Sequence, residues 1–196
     1  GADILEVENL SVTDEKGVER LKGINLKVRS GEVLGVAGVA GNGQSELLAV
    51  LGGYQTAKGC VKINQKPINI SGASEGQARR ERGISHVPED RQHEGLIMEF
   101  TAWENSIFGY HTDDQLYNGI FMNSRAIKSE ASARMDRFDV RPPDLRLRAR
   151  SFSGGNQQKI VLAREIERDP DILLVGQPTR GVDIGAIEFI HQQIMA

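Results

Sequence analysis

The segment from residue 151 to 183 constrains this chain most. Ser151-Phe152-Ser153-Gly154-Gly155-Asn156-Gln157-Gln158-Lys159 reads as a glycine-rich helix start. An apolar strand, Asp171-Ile172-Leu173-Leu174-Val175, then runs directly into Gly176-Gln177-Pro178-Thr179-Arg180-Gly181-Val182-Asp183. A serine and two glycines at a helix start leave N–H donors free and aligned with the helix dipole, which makes an anion-binding end. An ordinary serine cap with flexible glycines has the same composition. The strand and turn that follow at this distance favour the anion-binding reading.

The rest of the chain alternates short apolar strands with helices, the pattern of an α/β protein with a mostly parallel sheet. Ile4–Val12 and Ile24–Val28 read as strands around a turn at Asp14–Gly17, and Glu32–Val36 reads as a third that runs straight into Gly38–Ser45. Glu46–Leu51 reads as a helix stopped by Gly52-Gly53. Cys60–Ile63 and Pro67–Ile70 suit a small hairpin, and Ile84–Val87 a buried strand closed by Pro88-Glu89-Asp90-Arg91. Residues 101–149 change character. Asn123-Ser124 can cap a helix that carries Ile127, Ala131, Met135 and Phe138 on one face, and Arg141-Pro142-Pro143 ends it. Asn156–Arg168 is helical and stops before Pro170, and Ile184–Met195 is a final amphipathic helix.

The 196 residues suffice for one well-buried domain, and 39% hydrophobic with 26% charged residues is ordinary for a globular chain. A net charge of −3 gives no electrostatic reason to expect a nucleic-acid or membrane-surface partner. Arg141, Arg146, Arg148 and Arg150 alternate with Leu145 and Leu147 without aromatic interleaving, which suits a solvated edge better than a nucleic-acid patch. Cys60 is the single cysteine, so no internal disulfide is possible and a reducing compartment fits. No apolar run reaches the roughly 18–20 residues that span a bilayer. His86, His93 and His111 show no metal spacing.

Gly38-Val39-Ala40-Gly41-Asn42-Gly43-Gln44-Ser45 fits the phosphate-loop pattern G-x-x-x-x-G-K-[ST] at every position but the lysine. Such loops hold phosphate with backbone N–H groups and a helix N-terminus, while a Lys and a Ser/Thr reach the outer phosphates and Mg²⁺. Gln44 keeps a donor but forfeits a charge-assisted contact of about 1.5–3 kcal/mol. A glycine-rich strand–helix turn without a ligand is the plainer alternative. After the strand at 171–175, Gly176 offers no metal-ligand atom, and Gln177 can hydrogen-bond a water but cannot take its proton. Glu89 could supply one carboxylate near the metal.

Together these motifs cover nearly the whole chain. In order and wording they resemble the ATP-binding-cassette (ABC) transporter ATPases, and within them the second, C-terminal cassette of tandem importers for simple sugars and nucleosides. The match rests on the loop at 38–45, Val87-Pro88-Glu89-Asp90-Arg91 in the Q-loop place, the signature at 153–157, and Gln177-Pro178-Thr179-Arg180-Gly181 with a D-loop through Asp183. Gly185-Ala186-Ile187-Glu188-Phe189 points to the nucleoside branch.

The resemblance implies a P-loop NTPase fold: a mostly parallel sheet core, a small antiparallel β subdomain and a helical subdomain. It implies one nucleotide-binding domain over 1–196, C-terminally incomplete, with β subdomain and core to about 88, helical subdomain about 89–165 and core again about 166–196. It implies ATP and Mg²⁺ as ligands, with Mg²⁺ weakly at Ser45. The partners implied are a second cassette, membrane permease subunits met by a region that includes Trp103 and Phe108, and an upstream solute-binding protein, with no nucleic acid. The chain would sit at the cytoplasmic face of the membrane in a bacterial-type importer.

In that family two cassettes close head to tail, each ATP lying between one loop and the other's signature. With Gly176 and Gln177 at the metal and catalytic-glutamate positions, the expectation is an asymmetric pair, in which this chain lends Ser153–Gln157 to its partner and hydrolyses poorly at its own site. Three departures bear on this. No aromatic precedes Tyr54 to stack adenine, Phe152 stands where the signature usually has Leu, and His191 falls in a helix rather than on the strand of the switch histidine. An active ATPase using Glu89, a non-transport ABC protein acting on nucleic acid, and a non-hydrolysing scaffold are the alternatives.

Overall fold

The computed structural model describes residues 1–72 and 75–195. In chain order the elements are β1 (Asp3–Thr13), β2 (Glu19–Arg29), α1 (Gln44–Gly52), β3 (Lys58–Ile63), β4 (Lys66–Pro67), α2 (Gly76–Glu81), β5 (Ile84–Val87), a π-helical turn (Arg91–Gly95), α3 (Ala102–Asn105), β6 (Tyr117–Asn118), β7 (Phe121–Met122), α4 (Ser124–Arg137), α5 (Gly154–Ile166), β8 (Ile172–Val175) and α6 (Ile184–Met195). They form two compact units, Gly1–His86 with Pro170–Gly176, and Val87–Asp169 with Gln177–Ala196.

The first unit holds a four-stranded sheet in the order β2-β1-β3-β4, antiparallel throughout, and the pair β5-β8. On β1 the buried residues are Leu5, Val7, Leu10 and Val12, so the period of two slips once, between Val7 and Leu10. A register shift sits at that place. Asn9 takes a left-handed φ of 50°, and its N–H donates to Asn25 Oδ1 at 2.9 Å. The extra residue of the bulge returns Leu10 to the core face. Asp14 closes the β1–β2 hairpin by accepting from the N–H groups of Lys16 and Val18, both at 2.9 Å. These strands bury their inner faces with Val50 and Leu51 of α1, Val61, Ile63, Ile84 and Leu174 in one cluster. α1 ends as the sequence predicts, with Gly53 left-handed at φ 82°.

One expected strand is not formed. Residues 32–36 are irregular, and Val33, Leu34 and Val36 are 64%, 45% and 57% exposed. An apolar run becomes a strand only when a neighbour takes up its N–H and C=O groups. No described strand pairs with it. Of the expected core sheet, the strands paired among the described residues are β5 and β8.

The second unit is helical, with a two-residue ladder of β6 and β7. Asn123 caps α4 by accepting from Ala126 N–H at 3.2 Å, and Ile127, Ala131 and Met135 are buried along one face, followed by Phe138. α5 is the most enclosed helix of the unit, with Ile160, Val161, Leu162 and Ala163 inside. α6 buries Ala186 and Ile190, and Phe189 meets the edge of Phe138 at 6.2 Å between centroids.

Candidate functional site

The phosphate loop belongs to the first unit. Gly41 and Gly43 are left-handed, at φ 87° and 99°, on either side of Asn42, whose N–H donates to Val39 O at 3.2 Å. α1 starts at Gln44, so its first N–H groups point out of the helix N-terminus. The side chain of Gln44 is turned back into its own loop. Its Nε2 donates to Val39 O at 3.3 Å and lies against Gly38. The amide thus spends a donor on the loop backbone, while Glu46 adds a carboxylate to the first turn, where anions compete.

In the same unit β8 ends at Val175 and leads into a buried Gly176. The residues present do not fit a Mg²⁺ site. Ser45 is a neutral hydroxyl, Gly176 has no ligand atom, and no group of three His, Cys, Asp or Glu able to hold a metal occurs among the described residues. Tyr54 is 52% exposed, and its ring lies 5.5 Å from that of His86.

The signature segment belongs to the second unit. Ser153 is the N-cap of α5, in extended conformation, and its Oγ accepts from Asn156 N–H at 3.4 Å and from Asn156 Nδ2 at 2.9 Å. Asn156 Oδ1 accepts in turn from Arg141 N–H at 2.7 Å, which settles the orientation of the amide. Gly154 and Gly155 are glycines for lack of space. A Cβ at Gly154 would meet Arg91 Nη2 at 2.5 Å and Gly181 O at 2.6 Å, and one at Gly155 would meet Asp183 Oδ2 at 3.0 Å. Gln157 is buried, donating Nε2 to Ala149 O and Phe152 O at 3.1 and 3.0 Å. Phe152 is buried too, so the larger ring in place of leucine is taken up by the core.

Around this helix end lie the other predicted residues of the unit. Gln177 has a left-handed φ of 41°, and its Nε2 donates to Glu89 Oε1 at 3.4 Å. The structure therefore brings Glu89 and Gln177 together. Asp183 Oδ1 caps α6 through Ala186 N–H at 3.0 Å. Asp90 caps the turn at 91–95 by accepting from the N–H groups of Gln92 and His93, and the His93 ring lies at 2.8 Å from its carboxylate. The His93 hydrogen bond, more than the backbone donors, holds the Asp90 carboxyl below the usual range.

Arg91 is the residue that motif reading passed over. It donates to the carbonyls of Arg180 and Gly181 from 89 and 90 positions away. The only sequence signal was its place at the end of Pro88-Glu89-Asp90-Arg91. His191 is exposed on α6, as its helical position implies.

Comparison with known proteins gives a consistent result. The ABC transporter family pattern matches residues 21–180. The chain is 40% identical over 198 residues to the guanosine import ATP-binding protein NupO of Bacillus subtilis, covering 100% of this chain and 38% of that protein. It is 41% identical over 199 residues to the nucleoside import ATP-binding protein NupA of Lactococcus lactis, covering 98% and 38%. The chain thus spans well under half the length of these curated relatives. Among solved structures it superposes on the dimeric ABC transporter cassette MJ0796 with a TM-score of 0.81, at 26% identity, over 97% of this chain and 81% of that one. A post-hydrolysis state of the same cassette bound to ADP and Pi matches with a TM-score of 0.80. The fold is that of the P-loop NTPases of the ABC type, and the chain belongs to the ABC transporter family.

Proposed function

We propose that this chain is an ATP-binding cassette of an importer for nucleosides or simple sugars, and that its two halves of the chemistry are unequal. Its signature loop completes the ATP site of a partner cassette, while its own phosphate-loop site binds nucleotide weakly or holds it without hydrolysis. The observation that carries this reading is the contrast between the two glycine-rich helix starts. At 153–157 the cap, the glycines and the buried Gln157 are all in place. At 38–45 the lysine is a glutamine folded onto its own loop, and the residue after β8 is Gly176.

In the partner site the chain's residues bind and orient. Free N–H groups at the start of α5 and the Ser153 hydroxyl face the terminal phosphate of an ATP held by the other cassette, and the helix dipole favours its charge. On the chain's own side, backbone N–H groups of the loop and the start of α1 donate to phosphate oxygens, and Gln177 orients a water without removing its proton. The substrate class comes from the relatives named for guanosine and nucleoside import. The partners in this reading are a second cassette, permease subunits and an upstream solute-binding protein, with the chain at the cytoplasmic face of the membrane. Among the described residues no helix is long and apolar enough to cross a membrane.

A mutant pair in the assembled transporter tests this. Ser153→Phe should cut ATP turnover at least tenfold, and Ser45→Ala should leave it within about twofold; a tenfold change is about 1.4 kcal/mol at the transition state. Equal losses would refute the asymmetry. A second reading, an active site with Glu89 as general base, draws on the Glu89–Gln177 contact. It requires that Glu89→Gln abolish turnover in an assembly whose partner site is already disabled.

A further inference from the structure

The short segment 88–95 reaches three separate parts of the second unit through successive side chains. Glu89 accepts from Gln177 at 3.4 Å. Arg91 donates Nη1 to Arg180 O at 2.6 Å and Nη2 to Gly181 O at 3.1 Å. Gln92 Nε2 donates to Gln157 Oε1 at 3.1 Å, and Gln157 is itself buried beneath the start of α5. Arg91 stands at the centre. Its Nη2 lies 2.5 Å from where a Cβ on Gly154 would be, and Gly181 O lies 2.6 Å from the same point. The guanidinium, the 180–181 turn and the first residue of α5 are therefore packed against one another with no room for a methyl group. The Nε of Arg91 is buried with no hydrogen-bond partner among the described residues, so the two Nη groups carry the whole polar contact.

A planar fork that grips two consecutive carbonyls fixes both the position and the tilt of a turn, which a lysine's single ammonium does not. Those carbonyls have few other means of being held. Among the described residues, the backbone bonds within the turn 177–182 are Arg180 N–H to Gln177 O at 3.0 Å and Val182 N–H to Thr179 O at 3.4 Å.

We propose that Arg91 is a positioning residue that locks the 180–181 turn onto the first turn of α5, so that the signature loop and the Gly181–Asp183 turn are presented to a partner cassette as one preformed surface. This deepens the proposed function and rests on its reading of 153–157 as a signature. Arg91 touches no substrate in this scheme. It acts by keeping two loops in register, so that closure of the partner onto this face requires no further ordering of the turn.

The test uses the full-length protein that carries this chain. Amide exchange over residues 179–183 is measured for wild type, Arg91→Ala and Arg91→Lys, with the β1–β2 ladder as the internal standard of folding. Arg91→Ala should speed exchange in 179–183 about tenfold or more and leave β1–β2 unchanged, with Arg91→Lys in between, because local opening is governed by the contacts of the segment that opens. Unchanged exchange at 179–183 in folded Arg91→Ala overturns the proposal. If that variant does not fold, Arg91→Lys decides, and wild-type exchange in it overturns the fork.

ATP turnover of the assembled transporter is read in parallel. Arg91→Ala should lower kcat about tenfold with KM for ATP within twofold, since ATP is held by the partner's loop. If Ser153→Phe leaves turnover intact, the signature reading fails, whatever Arg91 does to exchange. If Ser153→Phe abolishes turnover and Arg91→Ala leaves kcat intact, the signature reading stands and the positioning role falls.

Discussion

In the second unit Glu165 is fully buried at 0% exposure beside Arg164 at 2%. Its carboxylate accepts from Arg164 Nε at 2.7 Å and from the Tyr110 hydroxyl at 2.6 Å. Arg164 Nη1 donates onward to Gly95 O and Asn105 O at 2.9 and 3.2 Å. A buried pair of this kind contributes little net stability against an apolar replacement, but removing one member leaves the other charge stranded. Glu165→Ala is therefore expected to destabilise the chain by about 3–5 kcal/mol. Tyr110→Phe, which deletes one donor to a carboxylate, should cost about 1–3 kcal/mol. Urea unfolding of the two variants, with the slope checked for constancy, measures both.

At the scale of elements, α3 is a four-residue helix that exists because its start is doubly tied. Glu104 Oε2 accepts from Thr101 N–H at 2.8 Å and Thr101 Oγ1 at 2.6 Å. The Thr101 hydroxyl, then its N–H, hold the Glu104 carboxyl below its ordinary range. A carboxyl whose folded value is depressed stabilises the fold above its unfolded value of about 4.5, and loses that contribution as pH falls through the folded one. The stability advantage of wild type over Glu104→Gln should thus be full near neutrality and shrink as pH is lowered below about 4.5. A gap independent of pH would show that the charge of Glu104 contributes nothing. The turn before α3 is held by Asn105, buried at 0% exposure, which accepts from Ile97 N–H and donates to Ile97, Phe100 and Thr101 carbonyls. None of this announces itself in the sequence, where Thr101–Asn105 is too short to show a period.

At the scale of the molecule, the first unit rests on the inner face of β1, and Leu10 is fully buried at its centre. Leu10→Ala should cost about 2–5 kcal/mol by transfer and cavity terms together, read as a fall in the urea midpoint. A loss under 1 kcal/mol would mean that the bulge at Asn9 lets the strand slide to refill the space.

The β1–β2 hairpin and the helices α4, α5 and α6 were legible from periodicity, caps and stop signals, which act close along the chain; β8 was legible as an apolar run, while its pairing with β5 is long-range. Asn123 before Ser124, Gly53 after α1 and Ser153 before Gly154 do locally what their chemistry dictates. The glycines at 41, 43 and 154 were legible for the same reason, as a left-handed turn or a close approach leaves its mark in the sequence.

The tertiary structure decided what depends on partners distant in the chain. Residues 32–36 carry strand-like side chains yet stay irregular, since a strand is a relation between segments and no described segment answers this one. Gln44 reads as a donor for phosphate but closes onto Val39 O. Arg91 reads as the last letter of a motif, yet its function as a clamp exists only where the 180–181 turn passes beneath it. The sequence by itself determined which groups each loop can offer, because side-chain chemistry and glycine freedom are local properties. Only the fold decided which of those groups remain free, because a hydrogen-bond donor is spent by whatever acceptor the packing brings first.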